Sequence, residues 1–134
     1  MQAQQRLNQP CWRYWFDYVA EAEHDTYPHG AWHGNEVPYV FDTLGHIPPS
    51  CDYVTPRDLA FAAQVADYWV SFARDAGPRE ILPGPTHWPA CRKGRDVLLR
   101  IGVNKHAGFR LENRFMRARM SLFKRVMKHH VSLD

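Results

Sequence analysis

Hydrophobic and polar positions fall into blocks of distinct period along the chain. Residues 11–20, Cys-Trp-Arg-Tyr-Trp-Phe-Asp-Tyr-Val-Ala, are aromatic and β-branched without Gly or Pro, which predicts a strand. The run is apolar on both faces, as in a strand covered on both sides within a mostly parallel sheet. Residues 21–35 are polar and rich in His, Gly and Pro, hence a loop. Residues 35–44 predict a short helical turn, with Asn35 as N-cap and Pro38 in the first turn, where a missing N–H costs least. A second loop holds Pro48 and Pro49.

The longest predicted helix covers residues 56–76. Thr55 is its N-cap, Pro56 takes N1, and Asp58 at N3 favours the helix dipole. Gly77 suits the C′ position and Pro78 stops the helix. Leu59, Ala62, Ala66, Trp69 and Ala73 share one face, while Phe61, Val65, Tyr68 and Phe72 leave it apolar nearly all round. Such a helix is expected to be buried on more than one side. Residues 78–95 read as a Pro/Gly-rich loop, and residues 96–103 as a strand. Residues 110–131 predict a second helix, with Leu111, Phe115, Ala118, Leu122 and Val126 on one stripe and Arg114, Arg117, Arg125 and Lys128 opposite. This is an α/β order: strand, loop, short helix, long helix, strand, helix. Two strands cannot make a stable sheet with both faces covered, and their edges would lie open. The sequence asks for more sheet than it contains.

A length of 134 residues predicts one domain, and 45% hydrophobic with 13% aromatic residues is the composition of a folded chain. Charge is split: residues 1–91 hold five Lys/Arg against eleven Asp/Glu, and residues 92–134 hold twelve against three. A basic end of this kind is either a solvated helix face or a patch for an anionic partner. Cys11, Cys51 and Cys91 form no C-x-x-C pair, so reduced, separately packed thiols are expected. Met1-Gln2-Ala3-Gln4-Gln5-Arg6 has no apolar signal region, and no run approaches the length of a membrane span. A soluble, cytoplasmic protein is the default expectation, one that a longer N-terminus carrying a signal would replace.

Of the eight histidines, His24, His29 and His33 fall close together. His29 and His33 have the four-residue spacing of zinc ligands on a helix, but Gly30 and Gly34 among them argue against a helix, and no H-E-x-x-H is present. Ordinary loop histidines are therefore expected, with no metal. His33 has a setting that most lone histidines lack. It follows a strand of buried type, is flanked by Gly30 and Gly34, and precedes a short helix. In open α/β sheets working residues sit in loops beyond the carboxyl ends of strands, and an imidazole there can serve as general base near neutral pH.

The segment Gly30-Ala31-Trp32-His33-Gly34-Asn35-Glu36-Val37-Pro38-Tyr39-Val40-Phe41 resembles the histidine motif of type B carboxylesterases and cholinesterases. The strand ending Phe16-Asp17-Tyr18, the helix with Trp69-Val70-Ser71-Phe72-Ala73 before Gly77-Pro78, the pair Trp88-Pro89 and the strand from Leu98 to Gly102 agree in order. The match is good over residues 11–103 and loose over the terminal helix. The resemblance implies a partial α/β-hydrolase fold, the C-terminal part of a carboxylic ester hydrolase, as a single partial domain over residues 1–134. It makes His33 the triad base, with Gly34 and Glu36 beside it, Glu36 being a group of the histidine loop and not the triad acid. It implies acyl-serine chemistry on an ester substrate, with no metal and no cofactor.

The chain departs from the family at the nucleophile. Ser50, Ser71, Ser121 and Ser132 lack the G-x-S-x-G elbow, no Gly-Gly run for an oxyanion hole is present, and the triad acid lies upstream in the family's order. The chain alone is therefore expected to be inactive, and to associate with a missing N-terminal part or with itself. A different class of reading is a small basic protein whose last helix docks on nucleic acid or an anionic surface through Arg114, Arg117, Arg119, Lys124, Arg125 and Lys128. Packing of that helix on its own sheet is preferred, which disfavours nucleic acid as a partner.

Overall fold

The computed structural model describes residues 10–76, 80–92 and 94–130. Strand β1 (Tyr14–Tyr18) runs parallel to β4 (Val97–Asn113), with Tyr14 opposite Leu99 and Phe16 opposite Ile101. The crossover between them holds helix α1 (Val37–Val40), helix α2 (Pro56–Asp75) and a small antiparallel ribbon, β2 (Ile81–Leu82) with β3 (Trp88–Pro89). Helix α3 (Arg117–His130) ends the described chain. Side chains alternate across β1. Tyr14, Phe16 and Tyr18 meet Trp69, Tyr39 and Phe61 on the side of α1 and α2. Trp15 and Asp17 face the other way, towards Phe115 and Arg100.

The core lies between this sheet and α2. Phe61, Ala62, Val65 and Tyr68 of the helix pack with Tyr18, Tyr39, Leu82, Trp88, Leu99 and Ile101. Helix α2 starts where its local signals say. Thr55 Oγ1 accepts the Asp58 N–H, and the Asp58 carboxylate accepts the Thr55 N–H at 2.7 Å, a complete capping box behind Pro56. The Gly77-Pro78 stop lies outside the described residues. The helix buries one side only. Its Trp69 edge is half-buried, and Val70 and Phe72 are exposed, so burial on several sides does not hold among the described residues. Strand β1 covers only residues 14–18 of the expected 11–20, and its far face is not fully covered, with Trp15 exposed.

The second half departs further from the sequence reading. A strand of 17 residues would span roughly 55 Å if straight. Yet its flanks touch, because the Arg114 N–H donates to the Asp96 carbonyl at 2.9 Å. The chain reverses at Asn104 and Lys105, whose φ values of 51° and 71° are those of a tight hairpin turn. Residues 110–113, expected in a helix, therefore form the returning arm. Leu111 lies in that arm and Phe115 in the following turn, so the predicted stripe from Leu111 to Val126 is broken. Arg114 and Met116 also have left-handed φ, which no helix passes through, and α3 starts only at Arg117.

Helix α3 does not pack on the sheet. None of its residues 117–127 is buried, against the expectation of a helix laid on its own domain. The region read as a loop over residues 78–95 holds β2 and β3, strands too short for a periodic signal. They are seated by Trp88, whose indole N–H donates to the Arg13 carbonyl at 3.0 Å, and by Tyr68, whose hydroxyl donates to the Thr86 carbonyl at 2.6 Å. All three cysteines are free. Cys11 and Cys91 are not separately packed, however, because their backbones pair across an antiparallel bridge. No helix among the described residues is long and apolar enough to cross a membrane.

Candidate active site

The loop that carries His33 begins where β1 ends. Tyr18, the last residue of β1, is held at two points. Its phenol donates to the buried carboxylate of Asp58, and its carbonyl accepts the Asn35 side-chain amide at 2.8 Å. Asp58 also accepts the Glu21 N–H at 3.2 Å, so one carboxylate joins the strand end, the loop start and the α2 N-terminus. Burial pushes the Asp58 carboxyl up, but the hydrogen bonds from Tyr18, Thr55 and Glu21 outweigh it and hold the group below its ordinary range. Burial, and then that same carboxylate, raise the Tyr18 phenol far above its ordinary value.

Asn35 is not the cap of α1, as the sequence suggests. Glu36 takes that position, without a side-chain cap bond, and Asn35 turns inward to tie the loop to β1. Gly30 and Gly34 have φ of 108° and 85°, so each gives the loop a left-handed turn that a side chain would strain. Between them His33 lies in a turn beyond the carboxyl end of β1, with its ring exposed. Gly34 accepts the Val37 N–H at 3.1 Å and so launches α1.

Glu36 is half-buried at the rim of an open apolar groove of about 560 Å³, lined by Tyr14, by residues of α1 and α2 including Trp69 and Val70, and by Phe41 just past α1. Burial, and then the charge of Glu36, raise the Tyr14 phenol. His29 lies in a turn, and His24 sits apart, its Nε2 2.9 Å from the Val19 carbonyl and its ring 5.3 Å from that of His106. Among the described residues, no three His, Cys, Asp or Glu side chains gather as metal ligands. Asp58 and Asn35 are what sequence reasoning missed in this loop. An inward-turned Asn and a helix N3 carboxylate look like any others until their partners, 17 and 40 residues away, are known.

The carboxylesterase family model matches residues 1–122, nearly the whole chain. The chain belongs to the carboxylesterase family. This carboxylesterase chain is also similar to a carboxylesterase of Geobacillus stearothermophilus solved at pH 6.2, at 27% identity and a TM-score of 0.64. The likeness covers 89% of this chain and 23% of the Geobacillus enzyme, so the chain spans less than a quarter of that relative's length. No curated protein matches it. Its strands and helices are part of the α/β-hydrolase fold, and the family is one of ester hydrolases.

Proposed function

We propose that this chain supplies the histidine of a Ser/acid/His triad in a carboxylic ester hydrolase, with His33 as the general base. The observation that carries this reading is an exposed imidazole between two left-handed glycines, just past the carboxyl end of a parallel strand and tied to it through Asn35. Loops at that end of an α/β sheet are where ligands bind. In the proposed step a ring nitrogen of His33 takes the proton of a serine hydroxyl as that oxygen attacks the acyl carbon. It then returns the proton to the departing alcohol, and repeats the exchange with water to release the acid. Gly34 sets the turn that presents the ring, and Glu36 stands beside the loop.

The chain by itself is proposed to be inactive. The Ser50 hydroxyl is engaged with the Leu44 and Ile47 carbonyls, Ser71 is inside α2, and Ser121 is on the outlying α3. Ser132 lies outside the described residues. None has the G-x-S-x-G setting that exposes a nucleophile. The isolated chain is expected to hydrolyse p-nitrophenyl acetate no faster than free imidazole. Saturable turnover lost in His33→Ala would overturn that expectation. The role of His33 is tested by grafting the chain in place of the matching part of the Geobacillus carboxylesterase. A soluble, cooperatively melting graft is expected to be active and to lose about 10³-fold or more in kcat on His33→Ala. Retention of activity in that variant would refute the assignment.

A further inference from the structure

Two features of the C-terminal third are absorbed by neither the core nor the histidine loop. The first is α3. At 100° per residue, Ala118, Met120, Leu122, Phe123 and Val126 share one broad arc, while Arg117, Ser121, Lys124 and Arg125 fill the opposite one. The apolar arc is open, with Met120 at 50%, Leu122 at 61%, Phe123 at 58% and Val126 at 48% exposure. Arg119 lies within this arc, between Val126 and Phe123, so any surface that takes the arc must also pair one guanidinium. No acidic residue occurs between Glu112 and Asp134.

The second is an open cleft of about 820 Å³ where the hairpin meets α3. It is lined by Gly94, Arg95, Asp96, Asn113, Arg114 and Arg117. Its one carboxylate, Asp96, is engaged by Arg13. Arg95, Arg114 and Arg117 form no ion pair with any described residue. The hydrogen bond from the Arg114 N–H to the Asp96 carbonyl fixes the backbone from which one of these guanidiniums extends. The cleft is thus a set of uncompensated positive charges at the foot of a cationic, amphipathic helix.

We propose that α3 and the Arg95–Arg114–Arg117 cleft form a peripheral docking face for an anionic phospholipid surface. The helix lies in the plane of the interface with Leu122, Phe123 and Val126 among the acyl chains. The cleft and the polar arc take headgroup phosphates. Positive charge alone would suit any polyanion. The apolar arc decides for a bilayer, because a nucleic-acid backbone offers nothing in which to bury Leu, Phe and Val side by side, whereas a lipid interface rewards both arcs together. The face is independent of His33 and of the proposed hydrolytic role.

The test is flotation of the full chain with vesicles of phosphatidylcholine alone and of equal parts phosphatidylcholine and phosphatidylglycerol. Binding is expected to the anionic vesicles only, weakening at least about tenfold at high salt. The double variant Leu122→Glu/Phe123→Glu and the triple variant Arg95→Gln/Arg114→Gln/Arg117→Gln are each expected to lose at least about tenfold in partitioning. Because all five substituted residues are exposed, both should keep the parent's thermal unfolding curve. The triple variant tests the idea even if the double one misfolds. Failure of the parent chain to float with anionic vesicles at low salt overturns the proposal. So does undiminished vesicle binding in the Leu122/Phe123 variant with retention on duplex DNA, the mark of a nucleic-acid face. A stable dimer that ignores vesicles also overturns it, since a second copy would then cover the arc.

Discussion

Asp58 receives donors from the Tyr18 phenol, the Thr55 amide and hydroxyl, and the Glu21 amide, all on one buried carboxylate. Its removal strands a buried phenol and breaks the capping box together. Asp58→Ala is therefore expected to cost about 3–5 kcal/mol in chemical denaturation, well above the roughly 1 kcal/mol of a cap alone. A loss near that smaller figure would mean that the link to Tyr18 contributes little. Gly102 is constrained differently. It has φ of 82° where β1 and β4 fall out of register, and a Cβ there would lie 2.4 Å from the Tyr18 backbone nitrogen. Gly102→Ala is expected to destabilise by about 2–3 kcal/mol through strain and a forced shift of the strand end, measured the same way. The sequence shows Asp58 as a first-turn carboxylate and Gly102 as a glycine inside a strand pattern. What each one touches is set by residues far along the chain.

Helix α2 was legible almost to the residue because Thr55, Pro56 and Asp58 act locally, on amides within their own turn. The hairpin was not. Leu111 and Phe115, four residues apart, fit a helical stripe, and the reversal needs two non-glycine residues, Asn104 and Lys105, in left-handed conformations. Tertiary bonds hold that reversal. Arg100 donates to Asp17 on β1 and, at 3.1 Å, to Glu112 on the returning arm, while the Asn104 N–H donates to Asp17 at 3.2 Å. Burial pulls the Arg100 and Glu112 charges towards neutrality, but their mutual pairing, with Arg110 and Asp17, wins and keeps both ionised. Arg100→Ala leaves the half-buried Asp17 without its guanidinium and Glu112 with Arg110 alone. It is expected to cost about 2–4 kcal/mol and to speed amide exchange in the returning arm before α2 is affected. Uniform exchange across both elements would show that the hairpin is not separately held.

Acid and base should act on the whole molecule through different groups. Asp58 and Glu112 have lowered native values, so their stabilisation is complete above the unfolded carboxyl range of about 4 and is lost as pH falls through the native values. Tyr18, Tyr39 and Tyr68 are raised chiefly by burial, and Tyr53 is pushed up to about 12 by burial and its bond to Glu23. Their stabilisation is complete below the unfolded value of about 10 and is lost as pH rises beyond it. The melting temperature is thus expected to fall on both sides of a plateau between about pH 5 and pH 9.5. A plateau running unbroken past about pH 11 would refute the tyrosine part. By itself the sequence determined the α/β class, the long helix, the first strand and the histidine-bearing loop with its glycines. Each of these rests on contacts or periodicities within a few residues. Only the tertiary structure decided that the second strand doubles back, that Tyr18 is clamped by Asp58 and Asn35, and that α3 stands clear of the sheet. Those outcomes depend on hydrogen bonds and burial between segments tens of residues apart, which no local pattern encodes.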